Sequence, residues 1–284
     1  MAKPMNENLV TTQWLAQHIG SPDIIILDAT WHMPAAKRDA KQEFLVSHIL
    51  GAQFFDLDAA SDQNTNLPHM LPSAEKFAHD LGVLGAGDGK MIICYDTVGL
   101  FSAARLWWML KSFGHQQAAV LDGGMPKWRA ENRAVEAGAG AKPERRPFTV
   151  STIPGNLRSM VDVAAAITSG TSQIADARSP PRFAGEEAEP RPGVKPGHMH
   201  GAKNVHYATL LKSNGTLKSA AELRNVFEAA GLKLNQPIIT TCGSGVTAAM
   251  LSLALENVGV KNHSLYDGSW TEWGASDQPV VTGR

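Results

Sequence analysis

The sequence has few cysteines, no long apolar run and no excess of charge of either sign. Its two cysteines, Cys94 and Cys242, are too few for a secreted disulfide framework and fit a reducing compartment. Its apolar runs fall far short of the roughly 20 residues that cross a bilayer. The 26 Lys and Arg residues against 27 Asp and Glu residues leave a net charge of −1, which excludes a strongly basic surface for nucleic acid or anionic lipid.

The first ten residues also lack the apolar stretch of a secretory signal, since they include Lys3, Pro4 and Glu7. Together these absences predict a cytoplasmic protein. Its expected partner is a small molecule or another protein, with no nucleic acid and no membrane.

An internal repeat organises the 284 residues into two copies. Five landmarks of the first half recur in the same order 145 to 150 residues later, and Trp128 and Trp273 each lie six residues beyond an aspartate. Two copies of this size indicate a duplicated domain, because solenoid repeats have periods of about 20 to 50 residues. The landmarks pair residues 24–29 with 173–178 (Asp28 aligned with Asp176), 47–52 with 197–202, 73–75 with 219–221, 91–96 with 237–242 and 121–124 with 266–269.

Each copy is long enough to bury a core of its own. We predict an N-terminal domain over residues 1–136, a linker over residues 137–158 and a C-terminal domain over residues 159–284. The linker assignment comes from residues 137–147, which are rich in alanine, glycine and proline and carry basic charges.

Short apolar strands alternate with amphipathic helices, which predicts an α/β fold with a parallel sheet flanked by helices on both faces in each copy. In open sheets of this kind the site lies at the carboxyl ends of the strands, where the next helix begins. The segment Cys242-Gly243-Ser244-Gly245-Val246-Thr247 occupies such a place. In the second copy the predicted strands are residues 174–177, 237–241 and 264–266, and the predicted helices are residues 220–230 and 247–258.

Cys242 is the candidate nucleophile of this loop. The two glycines let backbone N–H groups approach the sulfur, and the helix N-terminus adds positive potential. Both effects favour the thiolate, which is the reactive form of cysteine. The alternative is a small core residue, but the first copy keeps the same scaffold with Asp96 at the aligned position. Cys94, two residues before Asp96 in an apolar strand, is expected to be inert core.

Three other chemistries do not fit the loop. A phosphocysteine phosphatase needs an arginine six residues after the cysteine, where this chain has Ala248, and a serine-hydrolase elbow needs Gly-x-Ser-x-Gly around Ser244. Zinc is disfavoured because no second cysteine accompanies Cys242 and because the repeat explains His198, in the cluster with His200 and His206, through its counterpart His48. We therefore expect no metal and no cofactor.

The loop, the repeat and the stretches 43–55 and 267–273 resemble the two-domain rhodanese family over nearly the whole chain. The resemblance implies two tandem rhodanese-like domains, an N-terminal one without a nucleophile and a catalytic C-terminal one. The loop is like that of the mercaptopyruvate branch, whereas thiosulfate enzymes of the family carry Arg-Lys after the cysteine. Neutral Gly243 and Ser244 leave the second charge of thiosulfate with less to bind. Leu50 and His200 stand where the family usually has proline, which affects only the local turn.

The resemblance also implies the residues that hold the substrate. In similar enzymes the arginines that match Arg182 and Arg191 bind the carboxylate and ketone oxygen, and an arginine fork suits a 2-oxo acid. Both lie in a segment rich in proline, glycine and glutamate that we expect to be a long loop over the site. The alternative is that they pair with acidic neighbours at the surface. The remaining expected substrate-binding residues are Gly243, Gly245, Val246 and Thr247, and the acidic neighbours are Glu186, Glu187 and Glu189.

The resemblance also implies a proton relay of Asp58, His69 and Ser244. In mercaptopyruvate enzymes of the family, the matching residues are understood to lie together across the domain cleft. A histidine polarised by an aspartate could move a proton through the serine to the substrate oxygen or the departing enolate. The alternative is that His69 caps a loop near the domain boundary.

The activity implied is sulfur transfer from 3-mercaptopyruvate through a Cys242 persulfide, with release of pyruvate and delivery of sulfur to cyanide or to a thiol acceptor such as thioredoxin. Two alternatives stay open at this point: a thiosulfate:cyanide sulfurtransferase, and a non-catalytic sulfur carrier or interaction module, since a fold alone does not determine function. A monomer would suffice, because the two domains share one cleft.

Overall fold

The computed structural model describes residues 7–283, which form two compact units. Residues 1–6, where most of the stretch expected to lack a secretory signal falls, lie outside the described part. Of the described residues, the first unit contains those up to Gln63, Pro72–Ile153 and Ser213–Leu217. The second contains Asn64–Leu71, Pro154–Lys212 and the residues from Lys218 onward. The predicted domain boundaries at residues 136 and 159 stay a prediction.

The first unit is built on a five-stranded parallel sheet in the order β1-β6-β5-β2-β4, with a separate antiparallel pair, β3 and β7. Its strands are β1 (Leu9–Val10), β2 (Ile24–Asp28), β3 (His48–Ile49), β4 (Gln53–Phe54), β5 (Met91–Tyr95), β6 (Ala118–Leu121) and β7 (Val135–Glu136). Its helices are α1 (Thr12–His18), α2 (Ala40–Val46), α3 (Leu57–Ala60), α4 (Ala74–Val83), α5 (Ala103–Ser112) and α6 (Gly124–Ala130), with a 3₁₀ turn at Pro34–Ala36.

The second unit repeats this sheet in the order β10-β9-β11-β12-β8, again with all strands parallel. Its strands are β8 (Leu157–Arg158), β9 (Gln173–Asp176), β10 (Lys203–Asn204), β11 (Ile238–Thr241) and β12 (His263–Tyr266). Its helices are α7 (Met160–Ser169), α8 (Pro180–Ala184), α9 (Ala220–Ala229), α10 (Ala248–Asn257) and α11 (Ser269–Trp273), with a 3₁₀ turn at Tyr207–Leu210.

The matched strand orders confirm the duplicated α/β fold. The central strands β5 and β11 are almost wholly buried, as expected for parallel strands covered on both faces. The predicted strands and helices of the second copy all exist, with ends that differ by at most one residue.

The repeated landmarks make the same contacts in both units. Trp128 and Trp273 are buried, and each indole N–H donates to a carbonyl six residues on. The rings of His48 and His198 stack on phenylalanines at 3.8 Å, and Nδ1 of each contacts the carbonyl of the same phenylalanine. The repeat therefore explains His198 structurally, as predicted. Cys94 is fully buried in β5, as expected for an inert core residue, and burial raises its pKa far above the usual value.

Serine caps begin the matched helices α4 and α9. The side chain of Ser73 accepts the N–H of Lys76, and that of Ser219 accepts the N–H of Glu222, whose carboxylate bonds back to Ser219 in a capping box. These caps explain the repeat landmark at residues 73–75 and 219–221.

Residues 137–153 run along the first unit and are tied to it by backbone hydrogen bonds, such as those from Gly138 N to Leu45 O (2.7 Å) and from Ser151 N to Phe113 O (3.0 Å). No helix within residues 7–283 is both long enough and apolar enough to cross a membrane.

Candidate active site

Cys242 follows the last residue of β11 and lies six residues before α10. It is buried, with 2% of its surface exposed. Gly245 has φ +80°, a conformation that L side chains rarely adopt, and it turns the chain from the strand towards the helix. Cys242, a tight turn and a helix N-terminus thus follow one another as the sequence predicts, and the role of Cys242 as nucleophile stays a prediction.

The start of α11 is hydrogen-bonded to the carbonyl groups of this loop. The Trp270 N–H donates to the Cys242 carbonyl (2.9 Å), and both the N–H (2.9 Å) and the hydroxyl (2.6 Å) of Thr271 donate to the Gly243 carbonyl. Because both carbonyls point towards α11, the backbone of the loop has little freedom to move.

The equivalent loop of the first unit shows what this backbone shape binds. One oxygen of the buried Asp96 carboxylate accepts the N–H groups of Val98 (2.8 Å) and Gly99 (2.6 Å). The other accepts those of Ser102 and Ala103, both at 2.8 Å. Burial raises the pKa of Asp96, while the four N–H groups act to lower it and favour the charged form. The loop is therefore a ring of donors for a buried anion.

Cys242 occupies the position of Asp96 in the second unit, 146 residues later. Gly99 and Gly245 match in this alignment and both have positive φ, so the two loops turn in the same way. A ring of amides that suits a carboxylate also suits a thiolate or persulfide anion. The amides equivalent to the four donors belong to Ser244, Gly245, Ala248 and Ala249.

Replacement of Asp96 tests whether both pairs of backbone N–H donors in the loop need a hydrogen-bond acceptor. In Asp96→Asn the amide NH₂ would face two of the four N–H donors, and each buried N–H left unsatisfied costs about 1–3 kcal/mol. We expect the urea midpoint of the first unit to fall by the equivalent of about 2 kcal/mol or more. Asp88→Asn is the control, since the exposed Asp88 carboxylate bonds Thr149 in the same unit. Equal effects of the two variants would contradict the interpretation.

Arg182 lies beside the nucleophile loop. It belongs to α8, a five-residue helix begun by two prolines, so the expectation of a continuous long loop is wrong at this residue. A Cβ placed on Gly243 would lie 3.1 Å from Arg182 Nη2. The arginine also donates to both carboxylate oxygens of Glu189, from Nε at 3.2 Å and from Nη2. Arg182 therefore does pair with an acidic neighbour, but the Glu189 side chain is buried and does not lie on the open surface.

The sequence analysis missed a buried ion-pair network behind Arg182. Arg178, almost fully buried, donates to Asp176 at 2.7 Å and to Glu189 at 2.8 Å, and its guanidinium lies 4.3 Å from the Trp270 ring centre. Burial acts against the charge of Arg178, but the two carboxylates outweigh it and raise its pKa. Since Glu189 bonds both arginines, the network holds the Arg182 guanidinium at the loop.

The repeat contained a signal for this network. Asp176-Ala177-Arg178 in the second copy stands opposite Asp28-Ala29-Thr30 in the first, so an arginine appears only in the copy with the cysteine.

Arg191 reaches the same loop through Thr271. Its Nη1 lies 3.5 Å from Thr271 Oγ1, the hydroxyl that donates to the Gly243 carbonyl. Both predicted arginines therefore lie around Gly243, while Val246 and Thr247 are buried at the start of α10.

His69 is brought to Ser244. Residues 64–71 belong to the second unit, and within it His69 Nδ1 lies 2.9 Å from Ser244 Oγ, with both residues buried. The Leu71 N–H donates to Asp267 Oδ2 at 2.7 Å and anchors this segment after β12. The repeat has an equivalent anchor in the first unit, from Leu217 N to Asp122 Oδ1 at 2.8 Å.

Asp58 lies in α3 of the first unit, where its Oδ2 accepts the indole N–H of Trp31 at 3.1 Å. Its part in a relay with His69 stays a prediction.

A duplicated α/β fold with a buried cysteine in a loop whose counterpart binds a carboxylate, and with arginines beside that loop, is typical of proteins that transfer a group through a thiol. The rhodanese-like domain family matches residues 11–131 and 159–276, and the chain belongs to this family.

Several similar proteins are named as 3-mercaptopyruvate sulfurtransferases. The chain is 45% identical to the 3-mercaptopyruvate sulfurtransferase of Escherichia coli (strain K12), over 95% of this chain and 96% of that one. It is 39% identical to the human 3-mercaptopyruvate sulfurtransferase, over 96% and 94% of the two chains. The crystal structure of SseA from Escherichia coli, described as a 3-mercaptopyruvate sulfotransferase, superposes with a TM-score of 0.84 at 42% identity, covering 92% of this chain and 98% of that one.

Proposed function

We propose that the protein is an enzyme that transfers sulfur from 3-mercaptopyruvate, through a persulfide on Cys242, to a thiol acceptor or cyanide. The observation that carries this proposal is the position of Cys242 in a loop whose counterpart binds a carboxylate through four backbone N–H groups. Neutral Gly243 and Ser244 favour a substrate with one carboxylate over the thiosulfate dianion.

In the first half-reaction the Cys242 thiolate attacks the sulfur of 3-mercaptopyruvate. A sulfur–sulfur bond forms, the carbon–sulfur bond breaks, and its electron pair passes to the enolate of pyruvate, which takes up a proton. The loop amides stabilise the persulfide anion as the charge arrives there.

Arg182 and Arg191 hold the carboxylate and ketone oxygen of the substrate, because a guanidinium offers several donors at fixed geometry. His69 and Ser244, joined at 2.9 Å, supply the proton path to the enolate.

In the second half-reaction the acceptor thiolate attacks the outer sulfur, and Cys242 leaves as its thiolate. A reduced dithiol of the thioredoxin type satisfies this chemistry. A monomer suffices for this chemistry, since Cys242, His69, Ser244 and both arginines all lie in the second unit. A cytoplasmic location, which the two free cysteines fit, completes the proposal.

Paired assays test the proposal. Pyruvate release from 3-mercaptopyruvate is measured beside thiocyanate formation from thiosulfate and cyanide. We expect kcat/KM to favour 3-mercaptopyruvate. A preference for thiosulfate would support the alternative sulfurtransferase, and a persulfide formed without rapid pyruvate release would support a carrier.

Arg182→Ala tests whether the Arg182 guanidinium binds the substrate. A hydrogen bond to a charged group is worth roughly 1.5–3 kcal/mol, so we expect kcat/KM for 3-mercaptopyruvate to fall about 10- to 100-fold. Glu189 remains paired with Arg178 in this variant, so the fold should be little affected. Arg224→Ala, on the outer face of α9, is the control. A change of less than about twofold would make Arg182 a partner of Glu189 only.

A further inference from the structure

Ser269 combines a strained backbone with a contact to the nucleophile. It is fully buried and has φ +51°, a conformation that is uncommon for any residue other than glycine. Its hydroxyl oxygen accepts the Cys242 N–H at 3.3 Å, and the hydroxyl donates to the Tyr266 carbonyl at 2.8 Å. A non-glycine residue persists in such a conformation only where its surroundings hold it there, and such residues cluster at functional sites.

The first unit provides an internal comparison for this serine. Its matched residue is Gly124, with almost the same φ of +53°. The main-chain bond that follows is also the same, since Met125 N donates to Asp96 O at 2.9 Å, as Trp270 N does to Cys242 O. The fold therefore needs only a glycine here, and the serine hydroxyl occurs in the copy that carries the cysteine.

The difference follows from what the two loops carry. Asp96 fixes its own loop, because its carboxylate receives four backbone hydrogen bonds. The Cys242 side chain must gain and lose a sulfur atom, so it cannot serve as a permanent anchor. The residue must then be held through its main chain, at the carbonyl by Trp270 and at the N–H by Ser269.

We propose that Ser269 is a positioning residue for Cys242: its hydroxyl holds the Cys242 peptide so that the sulfur stays directed at the loop amides. This inference rests on Cys242 being the sulfur carrier. Attack on a substrate sulfur depends steeply on alignment, so a looser peptide slows the chemical step without weakening substrate binding.

Ser269→Gly is the decisive variant, because it removes the hydroxyl and also relieves the strain, as Gly124 does in the first unit. We expect a Tm close to that of the wild type, kcat for pyruvate release lower by about tenfold or more, and KM within about twofold. Ser269→Ala should lose a similar factor in kcat and also some stability, since it keeps the strained φ without the hydrogen bonds.

Ser252→Ala is the matched control. Ser252 is equally buried, lies in α10 of the same unit, and loses a hydroxyl bond to Thr240 Oγ1 of 3.0 Å without touching the loop. Its kcat should stay within about twofold of the wild type.

A second measurement separates this inference from the proposed function. The rate of Cys242 alkylation by iodoacetamide, followed by peptide mass spectrometry, depends on the thiolate and needs no sulfur donor. We expect it to fall at least about threefold in Ser269→Gly, even if the wild type released no pyruvate and the proposed function failed. An unchanged alkylation rate, a kcat within twofold of the wild type, or a loss confined to the fraction of folded protein would each overturn the positioning role.

Discussion

Cys242→Ser is expected to abolish pyruvate release from 3-mercaptopyruvate. Serine keeps the size of the side chain and the hydrogen bonds of the Cys242 backbone to Ser269 and Trp270, but an alkoxide is not accessible near neutral pH and cannot carry the transferred sulfur. The loss should therefore fall on the chemistry and leave the fold intact. Wild-type protein treated with 3-mercaptopyruvate should gain about 32 Da, the mass of one persulfide sulfur, and the variant should gain nothing.

Cys94→Ser is the control for this experiment. Cys94 is the other free cysteine, fully buried in β5 of the first unit, where burial raises its pKa and keeps it a thiol. Per folded molecule, this variant should retain both pyruvate release and the mass gain. Turnover that survived in Cys242→Ser would remove Cys242 from the mechanism.

Exchange of the two neutral loop residues for cations should reverse the choice of sulfur donor. In Gly243→Arg with Ser244→Lys, two charges stand beside the sulfur site and attract thiosulfate, while the contact of Ser244 with His69 is lost. A general acid or base is worth about 10² to 10⁴ in rate, so the 3-mercaptopyruvate rate should fall at least about tenfold. With the gain for thiosulfate, the ratio of the two kcat/KM values should move by about 100-fold or more.

The structure leaves room for the first carbon of a side chain at Gly243. Gly243 does not have a positive φ, and the atom nearest to its added Cβ is the end of the Arg182 side chain, which can shift by a few tenths of an ångström. Gly243→Ala with Ser244→Ala is the matched control, because it removes the hydroxyl without adding charge. It should slow the 3-mercaptopyruvate reaction and leave thiosulfate unimproved. If the ratio in the charged variant stayed within about twofold of the wild type, specificity would lie with Arg182 and Arg191 instead.

Much of this protein could be predicted from local sequence pattern. Strands such as β11 and helices such as α10 follow from apolar periodicity, and the end of a parallel strand places Cys242 where a site forms. The repeat added a further prediction. Both copies share one scaffold but differ at the aligned Asp96 and Cys242, which predicts chemistry in the second copy only.

The tertiary structure decided which side chains lie around the Cys242 loop. Arg178, Glu189 and Arg182 form one network, His69 reaches Ser244 from 175 residues away, and α8 replaces part of an expected loop. Such contacts depend on side-chain direction and on the packing of segments distant in sequence, which periodicity does not encode.

Ser269 shows most clearly what the sequence determines and what only the structure decides. The sequence by itself determined the fold class, the duplication and the place of Cys242 at the end of a strand, because these depend on strand and helix periodicity and on spacing along the chain. Only the structure decided that a serine at a glycine-like φ holds the Cys242 N–H, since that contact joins two loops 27 residues apart through the order of β11 and β12 in the sheet.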